Sequence, residues 1–383
     1  MKKLAIIGAQ RMARNYAVNA REMGVETHCF AWNKGAVAKD FVDKFYPISI
    51  FDIDAILTEL ETIGIDGVVS TSELTIPVVA ELAAKLHLPS LGVDVAKVIT
   101  DKYRNRCVTK DVQGLKQPRF ALVRDSDEAR NSDVGFPCIL KPLSEGGKRG
   151  VVVIESEDRL EEAIRYTSNE SKRQDAFLQE EFLRGGREYS VESLSYHGNN
   201  HIIQITEKTT SGPPHCVELG HSQPADLSPE LRKHVTDVLG RALTAVGVTE
   251  GPCHTEIMVI DDEVYLVEFN ARPGGDFISY PLIDLSTGYS YLKGAIKIAM
   301  NEFEPPEPGS LNRCFSGVCF VTKQTPELIP VFQTCDSKAW CWRKNVAGEI
   351  CEMLHNDCDN ANYFIWASKD GVPGELVSFI HRR

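Results

Sequence analysis

The run from His254 to Gly275, HTEIMVIDDEVYLVEFNARPGG, limits the possible folds of this chain more than any other. Two arms alternate apolar and polar residues around an acidic turn, Asp261–Glu263, which predicts a β-hairpin. A three-residue turn pairs Ile260 with Val264 and sets Glu256 opposite Glu268. Period-two alternation then puts Glu256, Met258, Glu268, Asn270 and Arg272 on one face. Like charges directly opposite one another destabilise a sheet. The pair makes sense if both carboxylates and Asn270 share Mg²⁺, which takes oxygen ligands and usually shares them with phosphates. Arg272 could then meet a transferring phosphoryl group. The plain alternative is an amphipathic hairpin with a solvated outer face.

Two further stretches carry chemistry. In PCILKPLSEGGKRGV, residues 137–151, an apolar strand ends on Lys141 and a Ser/Gly-rich turn leads to another strand. Glycines let backbone N–H groups approach and cradle phosphate oxygens. Buried among apolar neighbours, Lys141 needs an anionic partner. The Walker pattern G-x-x-x-x-G-K-[ST] is absent, so a plain hairpin is the competing reading. In FLQEEFLRGGREYSVE, residues 177–192, a Gly-Gly break joins two strands. Such a connector can read an adenine edge with its backbone, or be no more than a solvated edge.

The first hundred residues alternate strands (Lys3–Gly8, Glu26–Ala31, Gly67–Ser70) with helices (Met12–Met23, Ile53–Ile63, Ile76–Leu86), the pattern of a parallel sheet with helices on its faces. Gly8-Ala9-Gln10 lacks the remaining glycines of a dinucleotide fingerprint and reads as a tight strand-to-helix turn. From about Pro118 to Pro305 paired strands and helices (Arg159–Thr167, Pro229–Val246) predict an α+β unit. Pro305–Gly309 reads as a rigid linker. Beyond it, Cys314–Thr322 and Leu376–His381 are expected as strands of a small tail module. The expected division is 1–100, 101–304 and 305–383.

With 383 residues the chain is too long for one small domain. A formal charge of -12 argues against nucleic-acid partners. No apolar run is long enough to span a bilayer, so no membrane association is expected. Eleven cysteines with no Cys-x-x-Cys pair argue for reduced thiols and a cytoplasmic setting.

Taken together, these stretches resemble the ATP-grasp superfamily, and within it the carboxylate–amine ligases of the L-amino-acid (dipeptide) ligase type. The order Lys102, Lys141, glycine loop, hinge, Glu188, Glu256, Glu268, Asn270, Arg272 matches, and EFNARPGG is its most specific part. The resemblance implies α/β plus α+β architecture, with a Rossmann-like pre-ATP-grasp domain, an ATP-grasp domain and a small C-terminal module. It implies that Lys102 and Lys141 bind ATP phosphates, and that Ser144, Gly146, Gly147 and Gly150 form the flexible loop over them. Glu145 and Lys148-Arg149 depart from the more glycine-rich loop of many relatives. Glu180, Glu181 and Leu183 would lie at the adenine, and Glu188 at the ribose. Glu256, Glu268 and Asn270 would hold Mg²⁺, with Mn²⁺ left open. Arg272 and Lys141 would be catalytic.

Glu218 and His221, in the segment from Glu207 to Ala225 that also carries His215, are expected at the substrate together with Arg272 and Gly274. Ser72-Glu73 sits in the place after a strand that the family's first domain implies. The implied activity joins a small carboxylate, expected to be an amino acid, to an amine through an acyl phosphate, releasing ADP and phosphate. A homodimer is left open. The alternatives are a bicarbonate-activating or purine-biosynthetic member of the superfamily, a nicotinamide-dependent oxidoreductase, and a non-catalytic nucleotide-binding module.

Overall fold

A computed structural model describes the chain except residues 148, 172–174, 213–216, 308, 312–313, 353–360 and 383. The strands are β1 (Lys3–Ile7), β2 (Glu26–Phe30), β3 (Lys44–Tyr46), β4 (Gly67–Ser70), β5 (Leu115–Lys116), β6 (Phe120–Val123), β7 (Cys138–Pro142), β8 (Val152–Ile154) and β9 (Phe177–Glu181). They continue as β10 (Arg187–Tyr196), β11 (Asn199–Thr210), β12 (Glu218–Gln223), β13 (Gly251–Ile260), β14 (Glu263–Asn270), β15 (Phe315–Val321), β16 (Cys341–Asn345) and β17 (Asn362–Ser368).

They form three sheets. The first is parallel, in the order β3-β2-β1-β4. Its chain path leaves β1 in both directions, so a crevice opens at the C-terminal ends of β1 and β4, where ligands of such sheets bind. Gln10, Arg11, Ser72 and Glu73 lie there. Gly8 makes the turn after β1 at φ 97°, as expected for a strand-to-helix connection.

The second sheet has nine strands, β16-β17-β15-β12-β11-β10-β13-β14-β5. The third has four, β6-β9-β7-β8. ATP-binding candidates occur on both: Lys141 on β7, Glu180 on β9, and Glu188, Glu256, Glu268 and Asn270 on β10, β13 and β14. The connector from β9 to β10, Phe182–Gly186, passes from the small sheet to the large one.

Helix Tyr291–Ala299 fastens the first sheet to the large one. Its Tyr291, Leu292, Ala295 and Ile298 are buried in the same core as Leu4, Ile6 and Val68. Strand β15 pairs with β12, and β17 with β15. The proposed third unit, 305–383, therefore shares a sheet with the second. Leu376–His381, expected as a strand, is instead helical: a 3-10 turn at Gly374–Leu376 continues into Val377–Ile380. Leu376, Phe379 and Ile380 face one core at helical spacing, a pattern that short apolar runs do not distinguish from strand alternation.

Candidate active site

The large sheet presents one polar face. The register sets Ser190 opposite Glu256 and Glu192 opposite His254, and Thr206 opposite Ser190. Lys208 lies opposite His221 and Asn270 opposite His254. Glu188, Glu192, Lys208, His221, His254, Glu256, Glu268 and Asn270 thus share one face of the neighbouring strands β12, β11, β10, β13 and β14. Glu207 points to the other face, where Arg187 holds it at 3.0 Å, so it does not line the site.

Glu256 does stand opposite Glu268, but by a different route from the one expected. The turn has two residues, Asp261 and Asp262, both with positive φ (49° and 62°), which pairs Ile260 with Glu263. That is the tight turn that matches strand twist. A bulge then inserts Val267, so that Ile257 meets Leu266 while Glu256 meets Glu268. Shorter turn and extra residue cancel. Arg106 secures the bulge, donating to Leu266 O at 2.6 Å and Val267 O at 2.9 Å.

A second bulge has the same effect on β12. Thr209 meets Gly220 but Thr210 meets Glu218, so Leu219 is the extra residue. Without it Glu218 and His221, three apart, would face opposite sides. With it Glu218 Oε2 lies 3.1 Å from His221 Nε2.

The charges are strongly interlocked. Lys208, fully buried, places Nζ 2.9 Å from Glu256 Oε1 and 2.9 Å from Glu218 Oε1. Burial alone would lower its pKa, but Glu218 and Glu256 raise it well above the usual range. Burial opposes ionisation of Glu256, yet Lys208 and His254 hold it well below the usual carboxylate range. His254 touches Glu192 through Nδ1 and Glu256 through Nε2 at 3.3 Å. Burial would lower its pKa, but Glu192 and Glu256 lift it to about 9. Gly274 donates its N–H to Glu192 at 3.2 Å. A Cβ at Gly274 would stand 2.7 Å from His254 Nδ1 and 2.8 Å from Glu192 Oε1, so the turn closes on this pair only with glycine.

Lys102 reaches Glu268 at 2.8 Å and donates to Glu145 O at 2.8 Å. It therefore ties the glycine loop to the metal-type hairpin. Lys141 contacts Glu180, and Arg106 Nε reaches the same carboxylate at 2.5 Å. Burial would raise Glu180, but Arg106 and Lys141 outweigh it and hold it at about 2. The Glu180 carboxylate is committed to those two cations, and its backbone lies in β9 between β6 and β7, opposite Phe120 and Ile139. Glu181 pairs at the surface with Arg119 at 3.3 Å, not with the hinge. Leu183 is half-buried in the connector.

Arg272 donates through Nε to Glu73 at 3.1 Å, and its guanidinium makes a second contact to the same oxygen. The link joins the first sheet to the site. Burial would lower the Arg272 pKa, but Glu73 and further carboxylates raise it. Glu73 in turn is held below the usual range by Arg272 against the effect of burial. A Cβ at Gly146 would come within 2.9 Å of the Glu73 carboxyl carbon, so the loop rests on the same residue.

Gly147 and Gly150 have positive φ, 65° and 67°, and Gly150 packs under Pro142 and Glu170 rather than at the loop tip. Ser144 is half-buried at the end of β7. Lys148 and His215 lie outside the described residues.

The donor set fits Mg²⁺. Two carboxylates and an amide oxygen converge from β13 and β14, all hard oxygen donors, and their mutual repulsion is offset by lysines at their edges. Glu192, His254 and Lys208 complete the face, and Glu73 reaches it from the first sheet. The first three were not expected as site residues: Glu192 ends one of the stretches singled out in the sequence and His254 opens another, but nothing in their own local pattern assigns them a role. Only the alternation of β10, β11 and β13 relative to one another could have located them.

The description of the ATP-grasp domain family matches residues 134–280, and that of the ATP-grasp N-terminal domain residues 18–90. Together these span more than half of the chain. A formate-dependent phosphoribosylglycinamide formyltransferase of Methanocaldococcus jannaschii is 23% identical over 71% of this chain and 70% of its own length. The crystal structure of an L-amino acid ligase from Bacillus licheniformis superposes with a TM-score of 0.82 at 22% identity, covering 99% of this chain and 96% of that one. An N5-carboxyaminoimidazole synthetase from Staphylococcus aureus, complexed with ADP, gives a TM-score of 0.76 at 16% identity, covering 96% and 94%. By these matches, with the paired glutamates and Asn270 on one sheet face and Arg272 just beyond the end of β14, the chain belongs to the ATP-grasp superfamily of ATP- and Mg²⁺-dependent ligases.

Proposed function

We propose that the protein joins an amino acid, activated at its carboxylate as an acyl phosphate, to an amine, releasing ADP and phosphate. The observation that carries this reading is the junction of two half-sites by Lys208: Glu256 of the phosphate end and Glu218 of the substrate end share one ammonium, 2.9 Å from each.

ATP lies between the small and large sheets, its adenine on the Phe182–Gly186 connector, its ribose at Glu188 and its phosphates at Lys102, Lys141 and the 144–150 loop. Glu256, Glu268 and Asn270 would hold Mg²⁺, which would offset the charge on the phosphates. Arg272 faces the γ-phosphoryl group as the substrate carboxylate attacks in line, and stabilises charge developing there. The acyl phosphate survives while the glycine loop keeps water out. The amino acid's ammonium lies at Glu218 and His221. A neutral amine then attacks the acyl carbon and phosphate leaves.

A phosphoribosyl substrate, as the formyltransferase's name prints, is less well served. Its phosphate needs a cation, and three cations at this end among the described residues are each paired: Arg11 with Asp276 at 3.2 Å, Lys208 with Glu218 and Glu256, Arg272 with Glu73.

The test is ATP turnover against a panel of amino acids, with and without amines, followed by product identification. ADP with phosphate is expected, and hydroxylamine should trap a hydroxamate of the correct acid. AMP and pyrophosphate would refute the mechanism. Turnover with bicarbonate or a phosphoribosyl amine, and none with amino acids, would refute the substrate.

A further inference from the structure

We propose that Glu218, His221 and Asp276 form a second cation site, taking one divalent transition-metal ion of the Zn²⁺ type. One ligand atom from each residue lies within 4.8 Å of the others. They come from two separate elements: Glu218 and His221 from β12, and Asp276 from the turn after Arg272, where the backbone is left-handed at φ 45°.

The second observation is His221 itself. It is 2% exposed, and among the described residues neither ring nitrogen has a hydrogen-bond partner. Nε2 is near enough to Glu218 Oε2, at 3.1 Å, but is not aligned for one. A buried imidazole without a hydrogen bond is costly, and a ligand at this place removes that cost.

The donor chemistry selects the ion. Mg²⁺ keeps to oxygen and resists dehydration, whereas one imidazole with two carboxylates suits Zn²⁺ or Co²⁺. Bonds of about 2.1 Å in a tetrahedral site separate ligand atoms by roughly 3.4 Å, so modest side-chain rotation closes the cluster. Lys208 and Arg11 border the two carboxylates at 2.9 and 3.2 Å. Their positive charge repels the ion, so binding is expected in the micromolar range, a dissociation free energy of about 8 kcal/mol.

The regulatory consequence rests on the reading under Proposed function. The metal occupies the place given there to the ammonium, so Zn²⁺ acts as an inhibitor competitive with the amino acid and not with ATP.

The metal itself is tested without turnover. The protein is first saturated with Mg²⁺ and a non-hydrolysable ATP analogue, filling the Glu256–Glu268 site, and then titrated with Co²⁺ under a visible absorption spectrometer. One equivalent is expected, with ligand-field bands and no sulfur-to-cobalt charge transfer. Asp276→Asn, which keeps shape, and His221→Ala should each weaken it by more than about tenfold and still bind the ATP analogue. A thiolate band, unchanged binding in both variants, or no binding up to millimolar Co²⁺ would overturn the proposal. Metal binding without competition against any amino acid would keep the metal site and remove the ammonium from it.

Discussion

Glu268 and Glu180 are both glutamates beside lysines, and the structure gives them opposite tasks. Glu268 meets Lys102 at 2.8 Å with a quarter of its side chain open, so an arriving cation can displace the lysine. Glu268→Gln should cost at least about a hundredfold in ADP release with an unchanged circular dichroism spectrum; wild-type turnover in Mg²⁺ would end the metal assignment.

Glu180 is sealed between Arg106 and Lys141. Its folded pKa, about 2, lies below the ordinary value of 4.5. A depressed carboxylate contributes stability above its unfolded pKa, and that contribution, about 3 kcal/mol, is lost as pH falls from about 4.5 through 2. Glu180→Gln leaves two cations buried without their partner and should destabilise by about 3–5 kcal/mol at neutral pH. Urea unfolding at a series of pH values should find the gap between variant and wild type narrowing below pH 4.5. A gap independent of pH would contradict the charged pairing.

Elements place these residues through irregularities. Leu219 and Val267 are single extra residues in β12 and β14, and each turns a carboxylate to the working face. Bulges concentrate at such positions because a one-residue change of register re-aims every later side chain. Arg106 is the fastening of one of them, joining Leu266 O, Val267 O and Glu180 from a single guanidinium. Lysine keeps the charge but cannot span three acceptors. Arg106→Lys is expected to lose about 2–3 kcal/mol of stability and about tenfold in turnover, read by urea unfolding and ADP release. Turnover at the wild-type level with lowered stability would separate the bulge from the chemistry.

At the scale of the molecule, the first domain reaches the chemistry through Glu73: beyond β4, it holds Arg272 after β14 and touches the glycine loop at Gly146. Arg272 is thus oriented from a different sheet. Glu73→Gln should leave the KM for ATP within about threefold and lower kcat by about tenfold, the sign of an interaction that matters in the transition state. Loss confined to KM would make Glu73 a binding residue instead. Among the described residues no helix is long and apolar enough to cross a membrane.

Local pattern was enough for the elements and the motif residues. Helices Ile53–Ile63 and Pro229–Val246 and strand Gly67–Ser70 begin and end where periodicity and Pro/Gly signals put them. The acidic hairpin was legible because alternation, turn residues and paired glutamates all fall within one short segment. Leu376–His381 was not, because its few apolar residues fit either period.

What the tertiary structure decided is everything that depends on separate segments meeting. Lys208, His254, Glu192 and Glu73 are given no role by their local patterns, and each acquires its place from a partner 48 to 199 residues away. Two bulges set which face Glu218 and Glu268 occupy, and a bulge is defined by its partner strand rather than by its own sequence. The sequence by itself determined the sheet's parts and the carboxylates that need a cation. Their charge balance was decided only by folding, since burial makes an unpaired charge costly and the pairing partners are brought in from distant strands.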